Sequence, residues 1–379
     1  MGQKVRYHYL DWLRISAFLL LILYHSGRAF FPEDPWHIND EHGSWALRIF
    51  MDLIARWRLP LLFFISGVGT WFVLSRRDVS GFLKNRFSRL LIPLLFAMAV
   101  IVPPQVWLER TFKGQTQLGY FSWYVQDAFT KGTYSSGNIS WHHLWYIAYL
   151  LVMTLILLPV LFAYQRGKLG WLRRAIGKIC SGPQLLLMVL FPLFVANTMM
   201  RIWPDKTMGL LDDWGWLSLT ASWFLIGFMV TPHIDVLTKT ARRFGWLSGG
   251  LWLMMTLGIL FLPGSDDLKF DVFGYHVKYD DAFTIPIAWM AIITLVGLFS
   301  TLFNKDSKAK RYLNTAVYPL YIIHQTIALA LVFVVVPLDW NVWSKFAVVG
   351  VGTFTIGFGI HHFVLLRLGP LRTLFGINR

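Results

Sequence analysis

The sequence has little charge and almost no cysteine. Only 15% of its 379 residues are Asp, Glu, Lys or Arg. A soluble globular domain carries about 25%, so most of this chain is built to face lipid. Cys180 is the one cysteine, which excludes an internal disulfide framework and a thiolate metal cluster. Gly-x-Ser-x-Gly, P-loop, His-Glu-x-x-His and Glu-x-x-His patterns are all missing. A zinc site needs three or four convergent ligands, and with none of these spacings no metal is expected. Internal repeats, low-complexity linkers and stretches resembling a soluble domain are missing too.

What is present is apolar and aromatic. Hydrophobic residues make up 56% of the chain, and the mean hydropathy is +0.52. Many of the 19 tryptophans lie near the ends of apolar runs, where an aromatic belt would place them. Lys4 and Arg6 precede the first run as in a signal peptide, but the run contains Asp11 and Arg14 and no small-x-small site follows it. It is expected to be an uncleaved span. Runs of about 20 apolar residues can cross a bilayer as helices. Ten are expected, at 9–31, 45–75, 89–109, 141–162, 183–203, 211–231, 246–262, 282–303, 313–336 and 342–366. Pro60 should kink or tilt the second. The expected fold class is an all-α membrane protein, a single integral-membrane domain over 1–379.

The net charge of +15 could point to nucleic acid, but the basic residues fall in short loops between the spans. Arg76, Arg77, Lys84, Arg86 and Arg89 occupy one such loop, and Arg166, Lys168, Arg173, Arg174 and Lys178 another. The intervening loops carry acids: Glu33, Asp34, Asp40, Glu41, Asp205, Asp212, Asp213, and five aspartates between 266 and 281. That asymmetry places both termini in the cytoplasm and removes the case for nucleic acid. The two largest outer loops, near 110–140 and 263–281, are rich in Tyr, Trp, Asn, Gln and Asp. They suit sugar stacking and equally suit a wet interface.

Ionisable groups at membrane depth are costly, so each is a functional candidate. Arg14 and His25 lie eleven residues apart, which returns them to within about 20° on one helix face, roughly 16 Å apart along the axis. Asp52 in the second run lies at a depth similar to His25 and would orient its ring if the two met. Asp52 could instead pair with Arg56 one turn on, and both readings stand. Arg86 and Arg89, at i,i+3 near the inner mouth, could grip phosphates or simply mark the inner side. His142, His143 and His324 complete the polar set.

These motifs resemble a known family. Tyr9-Leu10-Asp11-Trp12-Leu13-Arg14 with His25 is similar to the first span of the bacterial acyltransferase-3 membrane proteins. Phe63-Phe64-Ile65-Ser66-Gly67, Arg86-x-x-Arg89, His143-Leu144-Trp145-Tyr146 and Tyr321-Ile322-Ile323-His324 follow in the family's order. Within it, Trp36-His37-Ile38-Asn39, Asp52, Arg58 and Asn314 resemble the glucans biosynthesis protein C group. The resemblance implies a multi-pass protein of the bacterial inner membrane that moves an acyl group from acyl-CoA to a carbohydrate hydroxyl. For the group, the donor implied is succinyl-CoA (acetyl-CoA in the wider family) and the acceptor a periplasmic glucan. No bound cofactor is implied, only the donor, the acceptor and membrane lipid.

On this reading the catalytic set is His25, Asp52 and Arg14, and the donor is held by Arg86, Arg89 and Arg14. The acceptor falls to Trp36, His37, Arg58, His143, Trp145 and His324. Intramembrane charges alone would equally suit a transporter or flippase for a glycan or anion, with Arg14, Arg56 and Arg58 as its path. A scaffold for other glycan enzymes is the third reading. The ordered motifs favour the transferase.

Overall fold

The computed structural model describes residues 6–261, 269–271 and 276–377. Among them the chain is helical, apart from an antiparallel pair of three-residue strands, Lys269–Asp271 and His276–Lys278, and one isolated bridge. The side chains of the acidic loop expected at 263–281 lie outside the described residues.

Eight helical stretches are long and apolar enough to cross a membrane, or nine if one bent pair counts as a span. Runs 211–231 and 246–262 lie in one unbroken helical stretch, Trp214–Phe261, but the chain doubles back at the 3-10 turn Thr231–His233. Trp223 packs on Trp289, while Ser248 bonds Thr294 close by on the same helix. Run 141–162 bends by 63° between His142–Ile156 and Leu158–Gln165. Pro159 explains the break, since its fixed φ and missing N–H suit the first turn of a new helix. Pro60 does not end its helix, which runs unbroken over Trp45–Leu74.

The chain forms two compact units. One comprises Met1–Ala17, Leu53–Phe82 and Val152–Arg311; the other comprises Phe18–Asp52, Leu83–Leu151 and Tyr312–Arg379. In the first unit the Phe-Phe-Ile-Ser-Gly segment has a packing role. A methyl group on Gly67 would stand 2.0 Å from the Phe224 carbonyl oxygen, and one on Gly227 would stand 1.9 Å from that of Phe64. The two backbones touch at this reciprocal pair of glycines, a close approach that small residues permit between membrane helices. Gly67→Ala should therefore overpack the contact and remove about 1–3 kcal/mol or more of stability. A thermal melt in detergent would show it, and an unchanged midpoint would mean the helices can shift apart freely.

Several charges read as topology signals turn out to be structural. Lys310 is fully buried, 2.8 Å from Asp306 and 3.7 Å from Asp11, and it also contacts His8. Asp213 caps the Trp214–Val230 helix by accepting from the Trp216 amide at 3.0 Å, satisfying one of the free N–H groups of the first turn.

The second unit is built on an apolar cluster that includes Phe30, Phe31, Ile38, Leu47, Leu329 and Val332. Its 31–44 loop is tied down by a buried ion pair, Lys345 Nζ to Asp40 Oδ2 at 2.6 Å, and Lys345 also donates to the Val336 carbonyl at 2.9 Å. Neither partner charge would be tolerated alone at such burial, so the loop is held rigidly.

Candidate functional site

Most of the sequence-derived candidates fall in the second unit. His25 lies in the last turn of the His8–Gly27 helix and meets His324 edge to edge, with ring centroids 5.0 Å apart and planes 8° from parallel. His25 Nδ1 and His324 Nε2 are 2.7 Å apart, and His324 Nδ1 is 2.7 Å from the Tyr321 carbonyl oxygen. A carbonyl can only accept, so His324 Nδ1 carries its ring proton. In the neutral ring Nε2 is then a lone pair, and His25 Nδ1 must donate to it. His25 Nε2 is left as the basic nitrogen. The tautomer follows from the hydrogen-bond network, and it is the one a general base needs.

Aromatic rings surround this pair. Phe18 packs on Tyr321 at 5.3 Å and on Tyr146 at 6.2 Å. His143 is buried with its ring edge-on to His324 at 4.9 Å. Its Nε2 donates to the Ile322 carbonyl at 3.0 Å, while Tyr321 Oη donates to the His143 carbonyl at 2.6 Å. His143 thus clamps the 3-10 turn His142–Leu144 to the Lys308–Val335 helix behind His324. Trp145 is buried against Tyr149, with centroids 5.3 Å apart.

Arg86 and Arg89 come together in an unexpected local geometry. A π-helical turn, Phe87–Leu91, begins directly after Arg86, so the expected i,i+3 α-helical face is widened there. π-turns inside helices often mark functional sites. The Arg89 carbonyl accepts from Tyr318 Oη at 2.8 Å, which anchors the widened turn to a neighbouring helix. Arg86 is buried and Arg89 half-buried.

The remaining candidates are placed as follows. Asp52 lies 3.8 Å from Arg48, one helical turn away. In the first unit, Arg14 is half-buried, Arg58 is buried at 2% exposure, and Arg56 donates to Thr284 Oγ1 at 2.9 Å.

The Trp36-His37-Ile38-Asn39 segment folds as a bracketed turn. Asn39 Oδ1 accepts from the Trp36 amide at 2.8 Å, Asn39 Nδ2 donates to the Asp34 carbonyl at 3.0 Å, and Ile38 is buried. The turn aims His37 at Glu109, whose Oε2 is 2.6 Å from His37 Nδ1. Glu109 also accepts from Lys113 Nζ at 2.7 Å and from Tyr134 Oη at 2.9 and 3.0 Å. Burial, with the Glu109 charge beside it, pushes the Tyr134 hydroxyl well above its ordinary range, so it remains a neutral donor. Gln325 Nε2 reaches His37 Nε2 at 3.2 Å, making His324 and Gln325 neighbours on one helix that serve two histidine clusters.

Glu109, Tyr134, Gln325 and the Asp40–Lys345 pair were not singled out in the sequence. Glu109 did carry a signal, as a lone acid at the end of an apolar run.

Comparisons with known proteins agree with the motif order. The acyltransferase-3 family model, described as an acyltransferase domain, matches residues 7–362. Glucans biosynthesis protein C of Salmonella typhimurium is 22% identical over 342 residues, covering 86% of this chain and 83% of that protein. Its counterpart in Shigella dysenteriae is 23% identical over 392 aligned positions, covering 98% and 94%. No solved structure matches.

Proposed function

The chain belongs to the acyltransferase-3 family of multi-pass membrane proteins, and we propose that it moves an acyl group from cytoplasmic acyl-CoA to a glucan hydroxyl outside the inner membrane. The acyl group is succinyl, in keeping with the glucans biosynthesis protein C resemblance. Both termini face the cytoplasm on this reading, so Arg86 and Arg89 meet the donor's phosphates inside and the loop after the first helix meets the acceptor outside. Arg14 assists the donor along the first helix. Trp36 and Arg58 belong to the acceptor's path, and Asp52 supports the catalytic end of the second helix.

The observation that carries the reading is the His25–His324 pair, whose contacts, with both rings neutral, assign the proton of His25 to Nδ1. In the reaction, His25 Nε2 takes the proton of the sugar hydroxyl as its oxygen attacks the thioester carbonyl. The C–S bond breaks, the C–O ester bond forms, and the departing thiolate takes the proton back from His25. His324 holds the ring throughout and shares the charge of the imidazolium through its own bond to the Tyr321 carbonyl. General-base help of this kind is worth roughly 10²–10⁴ in rate.

Inside-out sealed vesicles test the arrangement. Labelled acyl-CoA added outside should acylate glucan trapped in the lumen, whereas glucan added outside should stay unlabelled. Labelling that needs both substrates on the outside of such vesicles would put the acceptor in the cytoplasm. Glucan movement without any acylation would instead favour the transporter.

A further inference from the structure

Among the described residues, one cluster of potential metal ligands takes no part in the acyl-transfer step. It lies within the second unit, where three segments distant in sequence converge. His37 comes from the loop after the first helix, Glu109 from the last turn of the Pro103–Phe112 helix, and His142 from the 3-10 turn His142–Leu144. One ligand atom from each lies within 4.8 Å of the other two. The His37 and His142 rings are 4.5 Å apart between centroids, and the Glu109 side chain is only 2% exposed.

His142 supplies the second observation. Its Nε2 is buried and has no hydrogen-bond partner among the described residues, a costly state for a buried nitrogen. Its backbone sits at φ 42°, in the left-handed region that a residue with a Cβ enters reluctantly. The ring is therefore held at this cluster against both penalties.

We propose that His37, Glu109 and His142 bind a divalent transition-metal ion of the zinc class, with a remaining coordination position open to water or a hydroxyl group. Two imidazoles and one carboxylate suit zinc and its neighbours, whereas magnesium and calcium favour all-oxygen sets. Three protein ligands with an open position are the pattern of catalytic zinc sites rather than closed structural ones. The outer shell is already in place: Tyr134 donates to Glu109, and Gln325 contacts His37. Such outer partners orient first ligands and tune their basicity. Ligation through His37 Nδ1 moves that ring's proton to Nε2 and turns the Gln325 amide so that its oxygen accepts, giving up its 3.2 Å bond to Gln105 Oε1, and no proton is lost from the protein. Lys113 competes with the metal for Glu109. Its side chain is 41% exposed, so it can swing toward solvent when a cation binds.

The test uses the full-length protein, purified in detergent through a tag without histidines and without chelator. After dialysis against zinc, elemental analysis should find near-stoichiometric metal. Cobalt(II) in its place should give the visible bands of a low-coordinate nitrogen and oxygen site. His142→Ala leaves the His37–Glu109 bond intact and should weaken zinc by more than the roughly 10–100-fold that losing an outer-shell partner costs. Lys113→Ala should bind zinc as tightly as the wild type or more so. Wild-type protein that takes up no zinc and shows no cobalt bands would overturn the proposal, as would equal affinity in wild type and His142→Ala. Should His142→Ala fail to fold, the wild-type cobalt spectrum and the Lys113→Ala affinity still decide. The acyl-transfer reading stands or falls separately, because these measurements need neither donor nor acceptor.

Discussion

His25→Ala should lower acyl transfer by about 10²–10⁴-fold, the range over which a positioned general base contributes. The protein should still fold and bind the donor, because His25 is only half-buried and its one described imidazole partner, His324, is independently anchored on the Tyr321 carbonyl. Transfer of labelled acyl groups to glucan, followed at saturating donor, reads the effect directly. A companion pair of variants isolates the role of His324. His324→Phe removes the acceptor that fixes the His25 tautomer, so it should lower the rate while leaving donor affinity unchanged. His324→Gln offers an amide oxygen in the same direction and should restore part of the loss. Turnover at wild-type level in His25→Ala would remove His25 from the chemistry. A loss in His324→Gln as deep as in His324→Phe would mean that His324 acts by packing alone.

The second large effect concerns Arg86 and Arg89. Each hydrogen bond to a charged group is worth about 1.5–3 kcal/mol, or roughly 10–150-fold in affinity. Losing both contacts in Arg86→Ala/Arg89→Ala should therefore raise the donor's dissociation constant by two orders of magnitude or more. Arg86 is buried, so the double variant could also disturb the fold. Arg89→Lys controls for this. It keeps the charge and the half-buried position but loses the planar fork, and it should weaken acyl-CoA binding more than it slows the bound complex. Titration of acyl-CoA into purified protein measures the first quantity and single-turnover transfer the second. Unchanged affinity in the double variant would leave these arginines as topology signals.

Much of the architecture was legible in the chain. The apolar runs, their aromatic ends and the motif order all identify a helical membrane transferase, because each is a local property of a window of residues. Where a helix begins was harder to read locally. Run 246–262 looked as if it began after Lys239, Arg242 and Arg243, which interrupt the hydropathy, yet its helix starts at Ile234 and carries through them to Phe261. Arg242 does so with its guanidinium bonded to Ser300, a partner that no window around it contains. Gly67 was legible as part of a motif, but its reason was not. The reason is the carbonyl of Phe224 on another helix.

The same division runs through the site. His25, His143, His324, Arg86 and Arg89 could be picked out individually, since a charge or imidazole inside an apolar run is conspicuous. Their partners could not. His25 meets His324 across 299 positions and His37 meets Glu109 across 72. A π-turn, rather than a plain α-helix, follows Arg86. The sequence by itself determined that this chain lives in lipid and which polar groups it carries there, because hydropathy adds up residue by residue along the chain. Only the tertiary structure decided which nitrogen of His25 meets His324 and which side chains surround Glu109. A hydrogen bond requires two groups within about 3 Å, and that distance is set by how remote helices pack.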